Sequence, residues 1–472
     1  GLEQPMNSRS NIPVPPCRDL REWLRYLEAM DKLAVARPEL SLRHEIAAVA
    51  KVLEQERTVL FPAPDNHSIP VVANILTGRA HAAEAMKVPE NDLLGRFQEA
   101  VRNPIAPIEV NKAPVQEIVH RQVDIGNQLP VPTHNELDSG PYITAGLLIA
   151  RNPKSGVQNV SIHRCQLAGP DKITALLLPR NTLAYMDMAE ESGQALEIAI
   201  VIGVDPCTFL ASQAIMPLDW DEMGIAGALH GSPVEVVKCL SNDVRVPARA
   251  EIVLEGRILP DVREPDGPFG EFPQYYGSSD EAHVIQIDAI THRPDPLYHT
   301  ITGGALEHLI MGGIPREATL LEHLQNSFPN VLDVHLSPGG VCRYHFIIKI
   351  DKQSDGQPKN IIMAAFGGHY DIKQVVIVDR DVDIFDPDEV QWAVSTRFQA
   401  SKDLIVVTDA QGSKLDPSAD NGITAKMGLD ATAPLTGDQG EYTKIRVPGE
   451  DDVDLGEVLD DNPSAVLAQL IS

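Results

Sequence analysis

Between residues 116 and 300 the chain carries one short apolar or alternating run after another, each closed by Gly or Pro. Ile143-Thr144-Ala145-Gly146-Leu147-Leu148-Ile149, Ala199-Ile200-Val201-Ile202-Gly203-Val204, Ala250-Glu251-Ile252-Val253-Leu254-Glu255-Gly256 and His283-Val284-Ile285-Gln286-Ile287-Asp288 are all of strand length. Regular short strands with turn signals between them predict a barrel or a sandwich. Helical pieces expected at 181–192 and 219–230 interrupt it.

The flanks read differently. Residues 18–57 predict two helices: Leu20, Trp23, Leu24 and Leu27 have helical spacing, and Ser41 caps a second run from Leu42 to Leu53. Short strands at Val59–Phe61 and Val71–Asn74 make this an α/β unit to about residue 115. From 315 onward α/β character returns, with buried strands at Gln374–Asp379 and Leu404–Thr408 and a crossover helix at Glu389–Ala400. The tail from Leu455 to Ser472 has helical apolar spacing suited to docking on a neighbouring subunit. Gly1–Pro5 reads as the remainder of an expression tag, with the native start at Met6.

A net charge of −28 with no basic run argues against nucleic acid and against anionic membranes. No apolar run approaches the roughly 20 residues needed to span a bilayer. Cys17, Cys165, Cys207, Cys239 and Cys342 are scattered, without a CxxC, which suits a reduced, cytoplasmic protein and neither a disulfide framework nor a zinc site. There is no GxGxxG after a strand, no Walker A loop and no HExxH.

Chemistry concentrates at Arg263-Glu264-Pro265-Asp266-Gly267-Pro268-Phe269-Gly270-Glu271. Pro and Gly exclude a helix interior, so Asp266 and Glu271 are held on a tight turn. Such a pair is either a solvated acidic turn or two carboxylates in one site whose pKa values are pushed apart to give an acid and a base. Upstream, Asn159-Val160-Ser161-Ile162-His163-Arg164 places an amide and a guanidinium five residues apart, and Asp221-Glu222-Met223-Gly224 precedes Pro233-Val234-Glu235-Val236-Val237-Lys238.

In this order and with these gaps the segments resemble the UbiD family of prenylated-flavin-dependent decarboxylases, over most of the chain as far as Leu429-Asp430-Ala431-Thr432. The resemblance implies an α/β (α+β) fold in three parts: an N-terminal α/β domain (6–115), a central split β-barrel related to flavin-binding barrels (116–310), and a C-terminal α/β domain with an oligomerisation tail (311–472). It implies reversible decarboxylation of an aromatic or heteroaromatic carboxylic acid of furan, pyrrole, indole or benzoate type. The reaction would run through a covalent adduct on prenylated FMN, a cofactor supplied by a flavin prenyltransferase. A homodimer or homohexamer is the family habit.

By the same resemblance, Arg164 is the active-site arginine, Asp266 stands where the family carries a proton-donating glutamate, and Glu271 is the second glutamate. Asp in place of Glu is shorter by about 1.5 Å, which leaves open a closer loop, a different substrate pose or a lost activity. Asn159 and Glu222 match ligands of a divalent ion, manganese or magnesium, at the flavin phosphate. Asn181 falls where a histidine is usual, and reads equally as a helix N-cap. Ser161, Ile162, Arg164 and Arg180 fall on cofactor-binding positions. Ser212 matches a position near the phosphate and a potassium ion, or is a turn serine. Lys373 matches a phosphate-reaching lysine, or is a solvated strand-end lysine. Phe272 and His308 line the substrate pocket, His308 being also readable as structural. Two other functions stay open on the residues alone: an FMN-dependent oxidoreductase on the split barrel, and a partner-requiring carboxylase subunit.

Overall fold

The computed structural model describes residues 11–277, 280–437 and 439–471. The expected start at Met6 lies outside them. The first helix, Leu20–Ala29, begins where Asp19 accepts from the Glu22 amide, and it buries Leu20, Trp23, Leu24 and Leu27 as the spacing required. The second, Glu45–Val52, is capped at His44 and not at Ser41. Arg43 is bridged to Thr133, with the His44 amide donating to the Thr133 carbonyl at 2.9 Å, and that pairing delays the helix. Strands Leu33–Val35, Thr58–Phe61 and Val71–Ala73 form a sheet that Tyr298–His299 joins at its edge.

The centre is one large antiparallel sheet. Its order runs Tyr142–Ile143, Cys165–Leu167, Lys172–Ala175, Asp280–His292, Ile252–Asp266, Leu196–Ile202, Gly146–Arg151, Gln158–Ile162, with Ile118–His120 paired to the long strand Asp280–His292. Gln158–Ile162 is one end of this order, while Cys165–Leu167 is next to the other end, yet only His163 and Arg164 separate them in sequence. Two residues bridge about 10 Å at most. The sheet therefore curls until its ends nearly meet, as a half-barrel, and Arg164 lies in the seam.

The apolar runs are continuous because both faces are covered. Leu148, Ile198, Ile200, Ile202, Ile252 and Leu254 pack on one side, and Leu147, Ile149, Ala199, Val201 and Val253 pack on the other, beneath helices Pro206–Ser212 and Met223–His230. Register shifts in the pair Ile252–Asp266 and Asp280–His292 fall between Glu255 and Gly256 and between Ile258 and Arg263. Bulges of this kind bend a strand and re-aim its end, and here the end is Asp266.

Helix Leu306–Ser327 leads from the half-barrel into a five-stranded sheet ordered Val331–Leu336, His345–Ile350, Gln374–Asp379, Ile423–Ala431, Leu404–Gln411. Helix Pro387–Arg397 lies between the expected strands. The short helices Leu455–Val458 and Pro463–Leu470 bury none of their residues. Among the described residues no helix is long and apolar enough to cross a membrane.

Candidate active site

Arg164 is the centre of the seam. Its Nε lies 2.9 Å from Asp266 Oδ1 and its Nη1 2.7 Å from Glu271 Oε1. Gly277 makes room for it: a Cβ there would stand 2.8 Å from Arg164 Nη1. Burial works against the guanidinium charge, but Glu271 and Asp266 more than offset it and hold its pKa up.

The two acids are not equivalent. Asp266 is fully buried, 0% exposed in its side chain, whereas Glu271 keeps 14%. Asp266 Oδ2 accepts from the Thr174 hydroxyl at 2.9 Å, and Oδ1 sits 3.3 Å from the Tyr142 hydroxyl as well as against Arg164. Burial pushes the Asp266 carboxyl up despite those partners. Burial also pushes Glu271 up, against the pull of Arg164, with Asp266 and Asp138 adding to the rise. One guanidinium between two buried acids leaves a surplus negative charge, and the remedy is a proton on one of them.

A second group lies beside the first strand. Asn159, Ser161 and Ile162 are on Gln158–Ile162, and Asn181 opens helix Asn181–Glu191. Arg180 is the N-cap there, so Asn181 is a first-turn residue rather than the cap. The Asn181 amide donates to Asn159 Oδ1 at 3.3 Å, and the Val160 amide donates to Glu222 Oε2 at 2.8 Å. Glu222 is 2% exposed, with no Lys, Arg or His within ion-pair distance among the described residues, and burial pushes its carboxyl far up. A buried carboxylate without a cation, held by the amide next to Asn159, with the Asn159 side-chain oxygen turned to the Asn181 nitrogen, is a donor set that fits a hard divalent ion. No group of three or more His, Cys, Asp or Glu among the described residues is placed to hold a metal ion.

Two residues expected at the cofactor are engaged elsewhere. The Ser212 hydroxyl donates to Phe209 O within its own helix. The Lys373 ammonium is held by Asp416 at 2.7 Å and by Ser418 at 2.6 Å. Arg180, in contrast, is exposed, and its charge acts on His163, Arg316, Arg343 and His369.

The residues that sequence reading missed lie against Phe272. Arg343 Cζ lies 5.3 Å from the centroid of Phe272, the neighbour of Glu271. Arg316 and Arg343 are 8% and 5% exposed, and side by side. Gly312 permits this: a Cβ there would overlap Arg343 Nη2 and stand 2.9 Å from Arg316 Nη1. Both donate to backbone carbonyls, Arg316 to Gly312, and Arg343 to Leu309 and Cys342. Among the described residues no carboxylate lies within ion-pair distance of either. Burial pushes both guanidinium groups down, and Arg316 is pushed further by Arg343. His308 accepts from the Gly304 amide at 3.0 Å, and burial with these two arginines pushes it down to about 3. The only signal in the sequence is Met311-Gly312-Gly313 inside an otherwise strong helix, since Gly there costs stability unless something must approach closely.

Three sequence models describing the domains of 3-octaprenyl-4-hydroxybenzoate carboxy-lyase match the chain: the N-terminal domain over 24–101, the Rift-related domain over 106–306 and the C-terminal domain over 309–431. An anhydromevalonate phosphate decarboxylase of Methanothermobacter thermautotrophicus is 38% identical over 86% of this chain and 95% of its own length. The UbiD-class enzyme HmfF from Pelotomaculum thermopropionicum, in complex with FMN, is 48% identical with a TM-score of 0.92, covering 93% of this chain and 100% of that one. An evolved dimeric form of the same enzyme, in complex with prFMN, has a TM-score of 0.88 at 45% identity, over 94% and 100%. The 3,4-dihydroxybenzoic acid decarboxylase of Enterobacter cloacae, in its apo form, is 26% identical with a TM-score of 0.85, over 96% and 100%.

Proposed function

The chain belongs to the UbiD family of decarboxylases, and on that premise we propose that its substrate is an aromatic or heteroaromatic carboxylic acid bearing a second anionic group. The observation that carries this reading is the Arg316–Arg343 pair. Two buried guanidinium groups side by side, with no acid in ion-pair contact and Asp371 acting on them only from further off, are costly until an anion arrives. They adjoin Phe272, beside the acid that Arg164 holds, so one anionic end of a substrate meets Arg164 and the other meets the pair. Planar bidentate contacts suit carboxylate at both ends. A phosphate at the far end is the second reading, favoured by the similarity to the anhydromevalonate phosphate decarboxylase of Methanothermobacter.

Prenylated FMN is the cofactor of this proposal, with a flavin prenyltransferase as its supplier. When bound, it supplies the electron sink that decarboxylation needs and that no side chain provides. Asn159, Asn181 and Glu222 would hold a manganese or magnesium ion at its phosphate, Arg180 would face that phosphate, and the Ser212 segment would border a potassium ion. The rest falls to the chain. Arg164 orients the scissile carboxylate and stays charged as carbon dioxide leaves. Glu271 donates the proton to the vacated carbon, because its side chain alone of the two acids keeps some exposure while burial favours its neutral form. Asp266, with both oxygens engaged, positions Arg164; this reverses the roles that motif position alone implied. Glu271 recovers its proton from solvent through its exposed side.

The test is carbon dioxide release by protein co-produced with a flavin prenyltransferase. The probes are furan-2,5-dicarboxylate, 2-furoate, pyrrole-2-carboxylate, 3,4-dihydroxybenzoate and a phosphorylated unsaturated acid. Preference for the dicarboxylate supports the reading. Preference for the phosphorylated acid selects the second one.

A further inference from the structure

We propose that Asp138 is a positioning residue for Glu271: its carboxylate pins the loop that presents this acid and places a second negative charge near it. The inference rests on Glu271 being the proton donor. The loop from Asp266 to Gly277 has little structure of its own beyond the short pair Phe269–Gly270 and Tyr276–Gly277. What fixes it is the segment from Asn135 to Tyr142. The Gly270 amide donates to Asp138 Oδ1 at 2.8 Å, one peptide before Glu271. The Ser139 amide donates to the Pro268 carbonyl at 2.9 Å, the Leu137 amide to the Tyr276 hydroxyl at 3.0 Å, and Tyr142 reaches Asp266. Asp138 itself is anchored by the Asn135 amide, which donates to Oδ2 at 2.9 Å. Its two oxygens thus tie the segment's own turn to the acid loop.

Burial pushes the Asp138 carboxyl up, while the Asn135, Gly270 and His134 amides and the nearby His44 oppose that rise and favour its charged form. That charge faces Glu271 together with Asp266, while Arg164 opposes both. His308 and Arg343 border the same loop through Gly304 and Phe272 and do not pair with Glu271. Replacing Asp138 by Asn removes the charge and leaves an oxygen for the Gly270 amide, whereas Ala removes both.

The experiment is a pH titration of the Glu271 carboxyl stretch by difference infrared spectroscopy on the full chain, assigned by its absence in E271Q. D138N and D138A are expected to lower the Glu271 midpoint by about one pH unit, the usual scale of a neighbouring like charge. A midpoint unmoved or raised in D138N overturns the inference. In turnover of furan-2,5-dicarboxylate, D138A is expected to lower kcat by roughly 10- to 100-fold through a displaced loop, with partial recovery in D138N and little change in KM. Wild-type kcat in D138A overturns the positioning role. Wild-type turnover in E271Q refutes the donor assignment instead, and the infrared midpoint still reads the effect of Asp138.

Discussion

Replacing Arg316 by Met separates binding from stability in a way that few substitutions do. The guanidinium lies beside Arg343 with no carboxylate in ion-pair contact, Asp371 acting on it from further off, and burial already disfavours its charge. The one backbone bond lost is to Gly312 O, inside the helix Leu306–Ser327, where that carbonyl is served by the helix ladder anyway. Methionine retains the apolar stem and fills irregular space. Replacing buried charge by apolar atoms of similar volume is often neutral or stabilising by about 1 to 4 kcal/mol, so the substrate-free variant is expected to unfold at equal or higher denaturant concentration. A hydrogen bond to a charged group contributes about 1.5 to 3 kcal/mol, which corresponds to roughly 10- to 150-fold in KM for a dianionic acid. Mono-acids should bind unchanged or better. Denaturant unfolding by circular dichroism and steady-state carbon dioxide release measure the two effects. A variant that is clearly less stable, with an unchanged KM for the dicarboxylate, refutes the reasoning.

E271Q should lower kcat by about 100- to 10,000-fold, the usual contribution of a general acid, while substrate binding followed by fluorescence persists. Turnover should fall as pH rises through the elevated Glu271 value, because the donor must be protonated. Stability follows the same sign: Asp266 and Glu271 hold protons in the fold to higher pH than in the unfolded chain, so their contribution is full below the ordinary carboxylate range and is lost as pH rises through the folded values, readable as a falling unfolding midpoint. G312A gains about 1 kcal/mol of helix propensity yet displaces the arginine pair, so a folded protein with a raised KM for dianions alone is expected. E222Q keeps an oxygen for the Val160 amide and removes the buried charge, so Mn2+ affinity measured by electron paramagnetic resonance should fall at least tenfold, on the scale of losing a charge-assisted contact of about 1.4 kcal/mol or more.

The strand and helix pattern was legible because each run carried its own period. Leu20, Trp23, Leu24 and Leu27 could face one way only, and the runs at 199–204 and 374–379 were too apolar for anything but covered strands. Ser41 misled because pairing with Thr133 overrode a local capping preference. The curl of the sheet was not written in any one run. It follows from which strands pair, and only then does the two-residue link His163-Arg164 become informative. At the site, Arg164, Asp266 and Glu271 were found through a tight turn and a motif. Tyr142, Thr174 and Asp138 were not, because their roles depend on contacts between segments remote in sequence. Lys373 shows the reverse: a lysine in the expected place whose charge is taken by Asp416, a partner more than forty residues away.

The most direct measurement is carbon dioxide release from furan-2,5-dicarboxylate against 2-furoate, by protein co-produced with a flavin prenyltransferase and shown by mass spectrometry to carry prenylated FMN. A dicarboxylate preference in kcat/KM of at least about tenfold, the equivalent of 1.4 kcal/mol, that disappears in R316M is the expected result. Equal turnover of both acids, or a preference that survives in R316M, would contradict the assignment of the arginine pair to a second anionic group.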